Sequence, residues 1–322
     1  MRFVKATLAA AALATLSAGA HAKEEIAIGE LSWDGARAIG YVMKAVIELR
    51  LGGAAELKKS ESAVIMASMD KGDGGLDVYP DMWMPNQQEK WDQYIETNGT
   101  VDHNKAGYTG TQAVFVPTYM YEKGVKTIAD LKNPEIAAMF DSDGNGKGEY
   151  WPGAPGWNST NRWAVKFKSY GLEDLWEGVP VDDAIFKSQL DSAYTREEPI
   201  MFYYWTPEWI HAAYDVTALE EPPRFDGCEE MYQPKDREDW YEASTFNCVS
   251  KDATVWNAFS KSLYERAPKT ACFLKNMVLD PDIVNSWILK VGRDKMDPQD
   301  MAEEWVEENA ATVDRWLEGC GA

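Results

Sequence analysis

The chain has 322 residues, of which 45% are hydrophobic, and its formal net charge is −21 at pH 7. This length can bury a substantial core and favours two domains over one. The acidic residues are spread along the whole chain, which argues against nucleic acid as a partner, because phosphate backbones are bound by basic surfaces. We interpret the charge as a solubilising surface.

The N-terminus is typical of a cleavable secretory signal peptide over residues 1–22. Arg2 and Lys5 precede an Ala- and Leu-rich core, and Ala20-His21-Ala22 fits the cleavage pattern. The mature chain is expected to begin at Lys23. No later run is long and apolar enough to cross a bilayer, so we expect an exported, soluble, monomeric protein in the periplasm.

The four cysteines lie in the last third of the chain, at Cys228, Cys248, Cys272 and Cys320. With an export signal they predict two disulfides, for which three connectivities are possible. We favour Cys228 with Cys248 and Cys272 with Cys320, because the first bond would hold the Pro- and Glu-rich segment between its ends. Their spacing fits neither a zinc site nor a redox CxxC motif.

In the first part of the chain, predicted strands are followed by predicted helices. Alternating apolar residues predict a strand over 25–31, and helical spacing then predicts a helix that starts after Trp33 and ends at Gly52-Gly53. A helix around 63–69, a strand over 76–79 and a helix over 87–95 follow. These strand and helix signals place Trp33 at a strand-to-helix junction and Trp83 just after a strand.

The middle of the chain continues the same alternation. A strand is expected over 111–116, near the first crossing between domains, and the pattern over 160–198 is mostly helical. A strand over 199–205 then ends at Thr206-Pro207, which we interpret as a helix N-cap followed by proline at the first helical position. Asn133-Pro134 and Asp280-Pro281 have the same form.

The last part begins with a polar, proline-containing segment. Loops are expected over 220–246, and helices should dominate from residue 254 onward. Strands that alternate with helices predict an α/β protein with largely parallel sheets. A return of the chain to the first domain after about residue 212 would make two lobes.

Fourteen tryptophans are present, and four of them lie at strand ends or in Gly/Pro turns. The four are Trp33, Trp83, Trp157 and Trp205. Because open α/β sheets place ligands at the carboxyl ends of strands, we hypothesise that these side chains meet across a cleft. The helical patterns hold seven others, for which core packing is expected: Trp91, Trp163, Trp176, Trp256, Trp287, Trp305 and Trp316.

A cluster of indole faces suits a trimethylated ammonium group, which has no N–H to donate and is attracted to aromatic rings. Indoles also stack on sugars, so a sugar-binding receptor is an alternative. His103 and His211 are the only histidines after the signal segment, and no catalytic motif surrounds them. We therefore expect no enzyme, with a secreted glycosidase as the alternative because it needs only two carboxylates.

The segment 141–149 matches the first half of a calcium-binding loop, with oxygen-bearing side chains at alternate positions and a glycine for the sharp turn. The twelfth position is Pro152 and not a glutamate, so an EF-hand is not expected. The sequence instead predicts a structural Ca²⁺ bound by Asp141, Asp143, Asn145, the Lys147 carbonyl and Glu149.

Together these motifs resemble the substrate-binding proteins of ABC importers for glycine betaine, choline and related compounds. The resemblance covers the mature chain and depends on Trp33-Asp34, Trp83-Met84-Pro85, Pro155-Gly156-Trp157 and the segment 203–209. It implies a two-lobed type II periplasmic binding fold that closes on its ligand and delivers it to a membrane permease. Lobe 1 would comprise residues 23–112 and 213–322, and lobe 2 residues 113–212.

The same resemblance implies site residues. Trp83 of lobe 1, with Trp157 and Trp205 of lobe 2, match the betaine-type box. Trp33 matches an aromatic residue of the choline-type branch, and Asp34 lies near the position of that branch's hydroxyl-binding acid. Trp33 and Trp83 would form one wall and Trp157 and Trp205 the other.

This chain departs from the betaine binders in two places. It has Ala154 and Ser159 where they have a cysteine pair, and Asn86-Gln87 where they have a histidine after Trp-x-Pro. These differences affect the carboxylate-binding half of a betaine site. Similarity to marine-type importers puts trimethylamine N-oxide first, with its oxygen accepting from a protonated carboxyl group, followed by glycine betaine and then choline.

Overall fold

The structure is a computed structural model that describes residues 25–234 and 237–321. The predicted signal peptide over residues 1–22 and the predicted mature start at Lys23 lie outside the described residues. Within the described part of the chain, no helix is long and apolar enough to cross a membrane.

The strands of the described chain are β1 (Glu25–Glu30), β2 (Ala54–Lys59), β3 (Val78–Met84), β4 (Val101–His103), β5 (Tyr108–Pro117), β6 (Gly148–Tyr150), β7 (Trp176–Gly178), β8 (Phe202–Thr206), β9 (Val216–Ala218), β10 (Glu229–Glu230), β11 (Thr245–Phe246) and β12 (Ala253–Ser260). Its α-helices are α1 (Asp34–Leu49), α2 (Ser62–Lys71), α3 (Gln88–Lys90), α4 (Thr118–Glu122), α5 (Pro134–Met139), α6 (Asn158–Ser169), α7 (Asp183–Thr195), α8 (Ile210–Ala213), α9 (Trp240–Ala243), α10 (Leu263–Arg266), α11 (Pro268–Asn276), α12 (Pro281–Ile288), α13 (Pro298–Glu308) and α14 (Ala310–Leu317). Short helices of other types cover Trp91–Thr97, Asp130–Lys132 and Leu289–Arg293.

The first strand and helix form because their apolar residues share one buried side. Ile26 and Ile28 of β1 are fully buried, and β1 pairs in parallel with β2 and β3. In α1 the residues at helical spacing from Ile39 to Ile47 are buried, and this helix packs against α12 and α13. The short loop between β1 and α1 carries Trp33.

The main sheet has the strand order β2-β1-β3-β12-β5-β8, with β4 and β9 at its sides. Its β1–β2 and β1–β3 pairs are parallel, but β12, β5, β8 and β9 join antiparallel. The expectation of largely parallel sheets was therefore wrong for the part of the main sheet formed by β12, β5, β8 and β9. The reason is that β12 returns late in the chain and runs against β3.

The long strand β5 connects the two halves of the molecule. Its first residues, Tyr108 to Gly110, pair with β12, and its later residues, Thr111 to Phe115, pair with β8. The crossing between domains was expected near residue 112, which lies within this strand. The lobe boundaries at 112/113 and 212/213 stay a prediction, and β9 pairing with β5 favours a later return.

The segment after β9 also contacts the second half. Arg162 of α6 donates to Glu229 at 2.6 Å, and Ser169 of α6 accepts from the Phe246 backbone N–H at 2.9 Å. The chain reaches the first half again at β12, which pairs with β3. These contacts favour a return between Cys248 and Ala253.

Several local predictions are confirmed. Pro134 and Pro281 open α5 and α12, because the Asn133 and Asp280 side chains accept from backbone N–H groups of the first turn. The disulfides Cys228–Cys248 and Cys272–Cys320 are both present.

Other predictions were wrong. Thr206 does not cap a helix; it ends β8, its hydroxyl lies 2.6 Å from that of Thr111 across the strand pair, and the next helix begins at Ile210. Trp176 and Trp256 lie in β7 and β12 and not in helices. Strand pairing determined these elements, and the local spacing of apolar residues did not reveal it.

Candidate ligand-binding site

The four tryptophans singled out from the sequence line one cavity of about 420 Å³, a volume that includes its open mouth. Trp33 immediately precedes α1, and Trp157 immediately precedes α6. Trp205 lies near the end of β8, as expected, whereas Trp83 lies inside β3 and not in a turn after it. The hypothesis that these residues meet is consistent with this geometry.

The rings of the four tryptophans form a continuous series around the cavity. Trp33 lies edge-on to Trp157 with 5.5 Å between ring centroids, and Trp157 lies 5.4 Å from Trp205. Trp205 in turn lies 6.2 Å from Trp83. We call Trp33 and Trp83 the first wall and Trp157 and Trp205 the second wall.

The remaining lining is polar but uncharged. It consists of the hydroxyl and amide residues Ser62, Tyr79, Asn86, Gln87, Asn158, Ser159 and Tyr203. No acidic or basic side chain is among the described residues that line the cavity. Such a lining can accommodate methyl groups on the rings and donate hydrogen bonds to one small polar group.

The polar lining is ordered by hydrogen bonds between side chains. The Gln112 side-chain oxygen accepts from the Tyr203 hydroxyl at 2.7 Å and from the Asn86 amide at 2.8 Å. Asn158 donates to the Asn86 backbone oxygen at 2.6 Å. Burial raises the pKa of Tyr203, so its phenol stays protonated and can donate.

The first wall is held by a buried carboxylate that the sequence interpretation missed. One Asp81 oxygen accepts from the indole N–H of Trp33 at 2.5 Å and from that of Trp83 at 3.0 Å. The other oxygen accepts from the Tyr108 hydroxyl at 2.7 Å. Burial raises the pKa of Asp81, while the three donors oppose that shift.

The sequence contained a signal for Asp81. It lies two residues before Trp83 in the same strand, so both side chains lie on one face of β3. A second feature of the wall is Gly110 of β5. A methyl group there would come within 2.5 Å of the Trp83 ring, so the close approach of that ring requires glycine.

The second wall is held mainly by aromatic packing. Trp205 stacks on Tyr204 with centroids 4.2 Å apart and planes at 17°. Trp157 lies edge-on to Trp151 at 5.7 Å, and its indole N–H donates to the Ser32 hydroxyl at 3.2 Å. That hydrogen bond connects the second wall to the loop that carries Trp33.

Asp34, which the resemblance placed near a hydroxyl-binding position, does not line the cavity. Its carboxylate accepts from Lys187 at 2.8 Å and from the Trp209 indole N–H at 3.2 Å. Burial raises the pKa of Asp34, but the Lys187 ammonium outweighs burial and holds the pKa below its usual value. The side chain is therefore an ionised partner of Lys187.

Lys187 is surrounded by two further carboxylates. Asp183 lies 2.7 Å from its ammonium nitrogen and Glu208 lies 3.5 Å from it. Burial lowers the pKa of Lys187, but the three carboxylates outweigh burial and raise it above the usual value. Burial raises the pKa of Glu208 to about 8. The cluster joins α1 to α7 and to the segment after β8.

The predicted calcium loop places three carboxylates together. One oxygen from each of Asp141, Asp143 and Glu149 lies within 4.8 Å of the others. Asp141 accepts from the backbone N–H groups of Gly144 and Gly146 at 2.8 and 2.9 Å, which closes the turn. This donor set of hard oxygens fits Ca²⁺.

The other two residues of the predicted metal set lie in the same turn. The Asn145 side-chain oxygen accepts from the backbone N–H of Lys147 at 2.8 Å. The Lys147 ammonium donates to the Glu173 backbone oxygen at 2.7 Å. Lys147 could therefore contribute only its carbonyl group.

A family model described as the substrate-binding domain of ABC-type glycine betaine transport systems matches residues 24–308. The chain belongs to this family. Members are substrate-binding receptors of ABC transporters and not an enzyme class. A glycine betaine-binding periplasmic protein of Dickeya dadantii is 24% identical over 205 residues, which are 62% of this chain and 60% of that protein. The curated relatives match between 26% and 60% of their own length.

Solved structures confirm the two-lobed α/β fold. An ABC-transporter choline-binding protein in complex with choline has a TM-score of 0.71 and 21% identity, with 92% of each chain covered. Lactococcal OpuAC in its closed, glycine betaine-bound conformation has a TM-score of 0.70 and 19% identity, covering 91% of this chain and 99% of that one.

Proposed function

We propose that this chain is a periplasmic receptor that captures a methylated ammonium osmolyte and delivers it to the permease of an ABC importer. The observation that carries the proposal is the series of four indole rings around one cavity with an uncharged polar lining. Each face would attract the methylated cation by about 0.5 to 2 kcal/mol once water is removed. No bond is made or broken.

Closure follows from contacts that only the closed state makes. A ligand between the two walls would touch the rings of both walls at once, and this differential affinity would shift the population of conformations toward closure. The hydrogen bond from Trp157 to Ser32 already joins the walls and would favour the closed arrangement.

We expect trimethylamine N-oxide to be the preferred ligand, followed by glycine betaine and then choline. Among the described lining residues, a betaine carboxylate would find neutral amide and hydroxyl donors and no basic side chain. Choline ranks last because Asp34, which was expected to bind its hydroxyl group, is bound to Lys187 outside the cavity. No carboxyl group is among the described residues that line the cavity, so a hydroxyl or amide group of the lining would donate to the N-oxide oxygen.

Thermal shift measurements on the mature protein test the class of ligand. Any ligand that binds the folded state alone stabilises it, by about 2.7 kcal/mol at one hundred times Kd. We expect the methylated amines to raise Tm and neutral sugars to leave it unchanged. A rise with sugars alone would favour the sugar-binding receptor, and turnover of a glycoside would favour the glycosidase.

We also propose a structural Ca²⁺ in the loop 141–149, bound by Asp141, Asp143, Asn145, the Lys147 carbonyl and Glu149. The convergence of three carboxylates on one turn supports it. The loop leads into β6 and then to the segment that carries Trp157. Chelation with EDTA should lower Tm and added Ca²⁺ should restore it; an unchanged Tm in EDTA would contradict a stabilising ion.

A further inference from the structure

Asp81 is a buried carboxylate for which the described part of the chain provides no cationic partner. It is 1% exposed, and its two oxygens accept from Trp33, Trp83 and Tyr108. Its polar contacts among the described residues are with these three neutral donors. A buried charge that is unpaired costs free energy, and such groups in proteins normally have a counter-ion.

The contacts of Asp81 define its position relative to the cavity. The indole N–H can only donate, so the N–H edges of Trp33 and Trp83 point to the carboxylate. The same two rings line the cavity. The rings of the first wall therefore lie next to the cavity and to one shared acceptor, and their orientation depends on that acceptor.

We propose that ionised Asp81 is a positioning residue for the first wall and the counter-charge of the bound methylated ammonium group. The inference rests on the proposed function, and it assigns to Asp81 the selection of a positively charged ligand over a neutral one of the same shape. The carboxylate fixes two rings with one oxygen, and its negative charge attracts a cation that has no N–H with which to contact it directly. The cation in turn offsets the cost of the buried charge.

Charge selection distinguishes this role from a purely structural one. A residue that only shaped the wall would affect ligands of the same shape equally. Trimethylamine N-oxide and tert-butanol have the same shape, but only the first carries a positive nitrogen. Choline and 3,3-dimethylbutan-1-ol form a second such pair. The proposal predicts that Asp81 discriminates within each pair.

The test is a calorimetric titration of the mature protein and its variants with both pairs, the alcohols being measured by competition. Asp81→Asn keeps the size of the side chain and removes the charge. Asp77→Asn is the matched control, because Asp77 is also fully buried beside β3 but pairs with Arg266 at 2.6 Å outside the cavity.

We expect Asp81→Asn to weaken binding of the ammonium ligands at least tenfold and binding of the alcohols less than twofold. Asp77→Asn should lower Tm and leave all the affinities within twofold of wild type. An unchanged ammonium affinity in Asp81→Asn, or an equal loss for both members of a pair, would overturn the proposal. If wild type binds no ammonium ligand, the proposed function itself fails.

A second variant covers the case in which Asp81→Asn does not fold. Tyr108→Phe removes one donor to the carboxylate and keeps both indole donors of the first wall. Loss of this donor favours the neutral acid form of Asp81, so the variant should weaken binding of the ammonium ligands about threefold and leave the alcohols unchanged. Equal affinities for the ammonium ligands in wild type and Tyr108→Phe would then count against Asp81 as the counter-charge.

Discussion

The two walls of the cavity are built from the same side chain but held in different ways. Both indoles of the first wall donate to Asp81, whereas Trp205 of the second wall stacks on Tyr204 with centroids 4.2 Å apart. The orientation of the first wall therefore depends on one hydrogen-bond acceptor, and that of the second on ring packing. Tryptophans of the first wall should therefore be sensitive to substitution of Asp81, and Trp205 of the second wall to substitution of Tyr204.

A second contrast lies between the two buried carboxylate groups beside these walls. Asp81 is satisfied by neutral donors, while Asp34 shares the Lys187 ammonium with Asp183 and Glu208. The first arrangement leaves a charge for a ligand to balance. The second has its own cation within the cluster and connects the start of α1 to α7.

Lys187→Met should have the largest effect on stability. It removes the buried cation that Asp34 and Asp183 share, and removing one partner of a buried ion pair costs about 3 to 5 kcal/mol. Urea denaturation at neutral pH measures the loss. Arg196→Met removes an exposed ion pair and should change nothing measurable. Equal stability of the two variants would contradict the account of the cluster.

Glu208→Gln should change how stability depends on pH. Burial raises the pKa of Glu208 from 4.5 to about 8, so the folded protein holds a proton that the unfolded chain has lost. This group therefore lowers stability as pH rises from 4.5 to 8, by at most about 1.4 kcal/mol per pH unit. Denaturation at pH 5 and pH 8 should show that the free energy of unfolding of the variant, relative to that of wild type, is higher at pH 8 than at pH 5. A constant difference would contradict the shift.

Trp205→Ala should weaken ligand binding at least tenfold, about 1.4 kcal/mol or more, because it removes one ring of the second wall. Trp91→Ala is the control, since Trp91 packs on His103 and Trp256 and does not line the cavity. Calorimetry should find the control unchanged. Wild-type affinity in Trp205→Ala would remove this residue from the site.

Ser32→Ala should have the smallest effect. It removes the acceptor of the Trp157 indole N–H, a contact worth about 0.5 to 1.5 kcal/mol. We expect binding to weaken several-fold, mainly through faster release, which stopped-flow tryptophan fluorescence can measure. Release at the wild-type rate would mean that this hydrogen bond does not hold the walls together.

Much of the site was predictable because its signals are local. Trp33, Trp157 and Trp205 each lie at the end of a strand or the start of a helix, and such junctions can be identified from residue spacing. The two disulfides followed from the order of the cysteines and the segment that each would close.

The errors concern contacts between distant parts of the chain. Asp34 is bound by Lys187, 153 residues away, and Asp81 accepts from Tyr108 across strands whose pairing local spacing does not reveal. Likewise Trp256 has helical spacing, but lies in β12 because β12 pairs with β3 and β5. β2 went unassigned because its polar sequence lacks strand signals.

The most direct test is a calorimetric titration of the folded, ligand-free mature protein with trimethylamine N-oxide, glycine betaine and choline in parallel. The account predicts micromolar or tighter binding of trimethylamine N-oxide, weaker binding of glycine betaine and the weakest binding of choline. No heat from any of the three would contradict the claim that the four tryptophans form a site for a methylated ammonium group.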